Sequence, residues 1–297
     1  YELVNGGKIL SCINKSIIIG SNNLAGISVT MDNSRTTTIS KYTDSDYKLS
    51  DDIKKEETTF EFDGSEKKSE KVTALTTNKA SIISQSGTSA GIVSKAVKSK
   101  TYNTNSVLSY CKNEGVISAI SGSSLGGIIA YADYVSISNV INTGAINGGT
   151  TSNIGGIMGQ TTNTSPYIDS SVSLSGYILN HSKDNVTTNA SNVGGIAGIV
   201  CINVADKDNI PYISVDVNDI LGDSHVGAVF GKISTASTDT KANQKVVVHF
   251  EKLTARTQAG GYAGLASSEK QNQSIEFKNT YIFTFLRNFS ICFCCIA

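Results

Sequence analysis

The chain has 297 residues, with 25 Lys and Arg against 25 Asp and Glu, and only 17% of its side chains are charged. A formal net charge of zero excludes a generic electrostatic pull toward nucleic acid or anionic lipid, so no nucleic-acid partner is expected. Two prolines exclude a Pro-rich stalk, and abundant Ser, Thr, Asn and Gly with alternating Ile and Val suit many short strands and turns.

The chain opens on Tyr1, and no basic and apolar leader follows it. This reads as a fragment or a processed chain and leaves secretion open. Residues 1–40 are expected to form the first coil or coils of a repeat array, because Asn23-Leu24-Ala25-Gly26-Ile27 resembles a first copy of a phrase that recurs downstream. Residues 41–80 are a charged insertion. Its segment 41–71 holds ten acidic and seven basic residues, which predicts a solvated excursion with a hairpin near Thr59-Phe60-Glu61-Phe62-Asp63-Gly64.

The array proper is expected over residues 81–280. Its phrase reads Leu125-Gly126-Gly127-Ile128, then Ile154-Gly155-Gly156-Ile157-Met158-Gly159, then Val193-Gly194-Gly195-Ile196-Ala197-Gly198. A worn copy is Val226-Gly227-Ala228-Val229-Phe230-Gly231, and weaker ones are Ala90-Gly91-Ile92 and Ala263-Gly264-Leu265. From Gly91 through Gly127, Gly156, Gly195 and Ala228 to Gly264 the steps are 36, 29, 39, 33 and 36 residues. A period of this size marks stacked repeats, each too small to bury its apolar face alone. The glycines Gly26, Gly91, Gly126, Gly127, Gly155, Gly156, Gly159, Gly194, Gly195, Gly198, Gly227, Gly231 and Gly264 are assigned to tight corners, through positive φ and close approach of neighbouring coils.

Between corners, period-two alternation predicts half-buried strands. Ile213, Val215 and Val217 are expected inward with Ser214, Asp216 and Asn218 outward. Val246, Val248 and Phe250 are set inward against Val247, His249 and Glu251, and Ile275 and Phe277 against Glu276. Pro166-Tyr167-Ile168 and Pro211-Tyr212-Ile213 read as strand entries. The fold class is all-β, an elongated parallel β-solenoid (β-helix) of about 6–8 glycine-cornered coils; an antiparallel sandwich or propeller is the alternative.

Gly126-Gly127-Ile128, followed by Ser138-Asn139-Val140-Ile141-Asn142-Thr143-Gly144-Ala145-Ile146-Asn147-Gly148 and Gly155-Gly156-Ile157-Met158-Gly159, resembles the GLUG-type repeat. The match is good over residues 122–160 and partial over 190–231. The resemblance implies a β-solenoid stalk of a large secreted or surface-exposed protein such as a bacterial adhesin, and it supplies no catalytic residue.

The tail, residues 281–297, is the most hydrophobic stretch, with Arg287 and Asn288 at its middle. It reads as a closing strand pair or chain end, or as a membrane-associated or acylated tail through Cys292, Cys294 and Cys295; membrane association is expected there or nowhere. Cys12, Cys111 and Cys201 stand apart and read as small buried apolar residues.

Candidate chemistry is sparse. Gly87-Thr88-Ser89-Ala90-Gly91 and Gly122-Ser123-Ser124-Leu125-Gly126 imitate a nucleophile elbow, but both precede the Gly-Ile corner and no helix is expected after either. No glycine phrase continues as a phosphate loop. Asp206 with Asp208 and Asp216 with Asp219 are the acidic pairs a glycan-cleaving β-helix would need; the first pair fails as a calcium loop. His181, His225 and His249 read as isolated surface residues without partners. Asn14, Asn163, Asn180, Asn185, Asn189, Asn272 and Asn288 begin Asn-x-Ser/Thr triplets, so a eukaryotic secretory route would decorate the 180–189 loop.

These readings converge on a non-enzymatic, extracellular or cell-surface, adhesin-like repeat protein. Its polar strand faces would bind glycan, matrix or another cell by avidity, with no catalytic residue, metal or cofactor expected. The alternatives are a polysaccharide lyase or glycosidase on the same fold, or a purely structural stalk or filament self-associating through its coil ends.

Overall fold

The computed structural model describes residues 2–3, 6–32, 36–43, 49–64, 66–97, 106–161, 172–189, 191–201, 211–235, 241–268, 276–280, 285–286 and 289–290. It is an elongated parallel β-solenoid. A representative coil begins at the Gly127 corner with strand Ile129–Ala132, turns into Val135–Asn142, turns again into Ile146–Gly155, and returns at Gly156 to begin the next coil with Met158–Thr161. Every strand of this coil pairs in parallel with its counterparts in the coils on either side.

The pairing is residue on residue, which turns sequence positions into columns running along the solenoid axis. Ile82, Ile117, Ile146, Val186 and Ile220 form one column, and Cys111, Val140, Ile178, Ile213, Val246 another. All of these are buried, and with Ile92, Ile128, Ile157, Ile196 and Val229 they make one continuous axial core. No coil has enough apolar surface to close by itself, so the core exists only because neighbours share it.

A second column is polar. Asn78, Asn113, Asn142 and Asn180 are fully buried at the corner between two strands of successive coils. Each Nδ2 donates to the Oδ1 of the next Asn, at 2.7 Å from Asn14 to Asn78, 2.8 Å to Asn113, 2.7 Å to Asn142 and 2.9 Å to Asn180. The same Nδ2 atoms donate to the carbonyls of Ala80, Gly115 and Gly144 two residues on, holding the corner. The ladder ends where Val215 takes the Asn position, and Asn180 donates instead to the Gly195 carbonyl at 2.7 Å.

This ladder and the adjoining backbone explain the corner glycines. A Cβ on Gly127 would lie 2.1 Å from the Gly156 carbonyl oxygen and 2.5 Å from Asn142 Cγ; on Gly156 it would lie 2.2 Å from the Gly195 oxygen and 2.0 Å from Asn180 Nδ2. The expected positive φ is not the reason. The described glycines with positive φ are Gly6, Gly87, Gly122 and Gly176, none of them a corner glycine of the phrase. Stacking distance alone excludes the side chain.

Among the described residues the stacked corners are Gly26, Gly91, Gly127, Gly156, Gly195, Ala228 and Gly261, since Gly227 pairs with Gly260. The last step is therefore 33 residues, from 228 to 261, and the match of Gly264 to Ala228 is corrected. Gly264 follows Ala263, the partner of Phe230, and so continues a separate column through Gly159, Gly198 and Gly231.

The charged insertion also departs from expectation. After a short helix, Asp51–Lys54, strands Glu57–Asp63 and Lys67–Thr73 pair antiparallel. The hairpin lies on the solenoid rather than extending into solvent. Phe60, Phe62 and Val72 are buried beneath it, while its alternate residues keep the charges outward. Val247 and Ser214, expected exposed, are buried. At the far end, Phe285–Leu286 pairs antiparallel with Phe289–Ser290. Cys292, Cys294 and Cys295, Asp206 and Asp208, Ile275 and the strand entry at Pro166 lie outside the described residues, as do the side chains of Glu276 and Phe277.

Candidate functional site: an axial groove

The registered columns produce a groove along one outer face. Its floor is a column of small or short residues: Gly20, Ser84, Ala119, Gly148 and Thr188. One wall is the preceding column, Ile19, Ile83, Ser118, Asn147, Thr187 and Leu221; the other carries Ser21, Gln85, Ile120, Gly149 and Asn189. The groove encloses about 860 Å³. Six coils at a strand spacing near 4.8 Å make it roughly 24 Å long.

None of its lining residues is ionisable. Ile19 and Ile120 are 74% and 71% exposed, and Ile83 is 41% exposed, an unusual density of bare aliphatic side chains on one strip. Between them stand hydroxyl and amide groups. Asn147 Oδ1 accepts from Thr187 Oγ1 at 3.2 Å, and Ser84 Oγ donates to the Ser118 carbonyl. The sheet's backbone hydrogen bonds run between coils along the axis, so the groove presents side chains and no free strand edge.

A second concavity of about 470 Å³ lies where the hairpin meets the later coils. Glu61 and Asp63 face it from the hairpin, His181 from just past strand Val172–Asn180, Ser214, Asp216 and Asn218 from strand Tyr212–Leu221, and His249 and Glu251 from strand Lys241–Thr254. Asp216 and His249 are paired across adjacent coils. His181 Nε2 lies 2.9 Å from Ser214 Oγ, and burial pulls this histidine below its ordinary value, partly offset by the Asp216 and Glu61 carboxylates and reinforced by His249.

The expectation that the histidines are separate and unpartnered is corrected. His181 and His249 share this cleft, and His225 Nδ1 contacts Asn192 Oδ1 at 2.8 Å elsewhere. Asp219 does not line the cleft with Asp216; its strand partner is Lys252. Among described residues no group of three His, Cys, Asp or Glu side chains converges on a metal-sized site.

Ser89 and Ser124, the two elbow-like serines, are fully buried, and Ser124 donates to the Ala130 carbonyl at 2.6 Å. Their strings are also offset by one residue, because Thr88 pairs with Ser124. Cys111 and Cys201 are buried as expected, but Cys12 is exposed. Asn180 is unavailable to a glycosyltransferase because it is buried in the ladder, whereas Asn189 is exposed. No described helix is long and apolar enough to cross a membrane.

The groove was not identified from sequence because its floor residues share only small size and their spacing varies from coil to coil. The signal was present as the column Gly20, Ser84, Ala119, Gly148, Thr188, and the register needed to read it comes from the folded pairing. The cleft needed a hairpin far away in sequence. Comparison of the chain with known protein families, with curated proteins and with solved structures gives no match.

Proposed function

We propose that this chain is a non-enzymatic, adhesin-like binding protein of the extracellular space or cell surface, and that its axial groove holds a linear, uncharged glycan. The observation that carries the reading is a groove without an ionisable side chain, continuous over six coils. A neutral polysaccharide offers hydroxyl groups to Ser118, Asn147, Thr187 and Gln85 and carbon–hydrogen faces to Ile19, Ile83 and Ile120. A nucleic acid, an acidic glycan or a charged peptide would lose its counter-ions and solvent with no opposite charge in return. Binding would accumulate by repetition along the columns. The GLUG-type resemblance supports the same setting.

The test is binding of immobilised neutral and acidic polysaccharides to the native chain and to Ser118→Trp/Asn147→Trp, whose indoles would fill the middle of the groove while leaving the inward columns alone. Retention of neutral glycan by the native chain and its loss in the variant is the expected result. Equal retention by both refutes the groove.

A glycosidase is the second reading, favoured by one observation: carboxylates of Glu61, Asp63, Asp216 and Glu251 line one cleft with two histidines. Release of reducing ends by the native chain, abolished in Asp216→Asn and retained in the groove variant, would replace the binding proposal with this one.

A further inference from the structure

A repeat array is ordinarily one-dimensional, because each coil contacts only its neighbours and end coils can peel away independently. The hairpin of residues 57–73 breaks that rule here. It leaves the solenoid after Thr38–Ser40 and rejoins it at Thr76–Asn78, yet its inward side chains land on much later coils. Phe60 lies against Tyr110 and Tyr177, with ring centroids 6.5 and 5.8 Å apart, and Phe62 against Tyr212 at 5.1 Å. Gly64 sits against Val247. Glu66 reaches Lys245 Nζ at 2.5 Å, and Lys68 and Lys245 both stand over the Tyr212 ring.

The landing points form columns of their own. Tyr177, Tyr212 and Lys245 are registered partners, as are Ile141, Leu179, Ser214 and Val247. The hairpin thus lies across five consecutive coils, those with strands Ser106–Asn113, Val135–Asn142, Val172–Asn180, Tyr212–Leu221 and Lys241–Thr254. Its root is clamped separately, by Lys79 to Glu56 at 2.6 Å and by the packing of Leu75 beneath Phe60 and Val72.

We propose that this hairpin is a strap that couples the coils it crosses, so that the coils around residues 212–254 open together with the body of the array instead of peeling from it. The contacts are of the right kind for this role. Phe60 and Phe62 are fully desolvated side chains whose release would expose both rings and the tyrosines beneath, and Glu66 ties the strap's tip to a lysine that is itself mostly buried. The strap also walls the histidine and carboxylate cleft with Glu61 and Asp63, so the shape of that cleft follows the strap's position.

The test is hydrogen exchange of the full chain, resolved by peptide. In Phe60→Ala/Phe62→Ala, amides of residues 212–221 and 241–254 should exchange about tenfold faster or more, while those of Ile129–Ala132, on the sheet the hairpin does not touch, keep their protection. Rapid exchange of residues 57–73 with unchanged rates at 212–254 would overturn the proposal, because the strap would then be detached without consequence. Should that variant fail to fold, Glu66→Gln removes the tie to Lys245 and leaves both rings in place. It should speed exchange over 241–254 by about threefold, and unchanged rates there would likewise overturn the proposal.

Discussion

Removing one rung of the asparagine ladder is the most direct measure of what holds the coils in register. Asn142 is fully buried and makes four contacts: it accepts from Asn113 Nδ2 at 2.7 Å and from the Gly144 amide at 3.3 Å, and it donates to Asn180 Oδ1 at 2.9 Å and to the Gly144 carbonyl at 2.8 Å. Asn142→Ala leaves the Asn180 Oδ1 and the Gly144 amide and carbonyl without these partners, while Asn113 Nδ2 keeps the Gly115 carbonyl. A buried polar group orphaned in this way costs about 1–3 kcal/mol. Three such groups, at about 1–2 kcal/mol each, therefore predict a loss of roughly 3–6 kcal/mol, or about 6–24 °C in melting temperature at 2–4 °C per kcal/mol.

Asn14 provides the internal control. It stands at the ladder's first described rung, is half-buried, and its Oδ1 accepts from the Ser16 amide next to solvent. Asn14→Ala leaves only the buried Asn78 Oδ1 without its donor, about 1–3 kcal/mol, while the Ser16 groups stay within reach of water, so its loss should be clearly smaller than that of Asn142→Ala. Urea unfolding followed by far-ultraviolet circular dichroism gives both numbers. Equal losses for the two variants would refute the reasoning, since burial and mutual hydrogen bonding would then not be what the ladder contributes.

Two further outcomes follow from titratable groups. Burial keeps His181 below its ordinary value of 6.5, so between that depressed value and 6.5 the unfolded chain binds more protons than the folded one. Stability contributed by neutral His181 is present above pH 6.5 and is lost as the pH falls through this window. The melting temperature should drop on acidification below 6.5, and His181→Gln should flatten that slope; an unchanged slope would exclude His181 as its source. Cys12 is exposed, whereas Cys111 is enclosed and burial pushes its thiol far up. Iodoacetamide on the native chain, read by peptide mass, should modify Cys12 roughly a hundredfold faster than Cys111 or Cys201, with equal rates refuting the buried placement.

The sequence by itself determined the repeat, the inward alternation and most corners, because parallel stacking imposes the same demand on every coil. Gly126-Gly127-Ile128 recurs since each coil meets the next at the same backbone distance, and Ile213, Val215 and Val217 alternate since each strand has one face on the shared core. Local pattern failed where partners are remote. Gly264 matches Ala228 in its neighbourhood but stacks on Gly231, because register is decided by pairing and not by resemblance. Asn142 reads as one more turn residue until Asn113 and Asn180 are placed above and below it. Val247 alternates outward and is nevertheless buried, because a hairpin that begins at Glu57 arrives to cover it. The groove and the cleft belong to this second kind. Columns made from one residue per coil, and a surface covered by a distant hairpin, are properties of the stacked structure that no stretch of neighbouring residues contains.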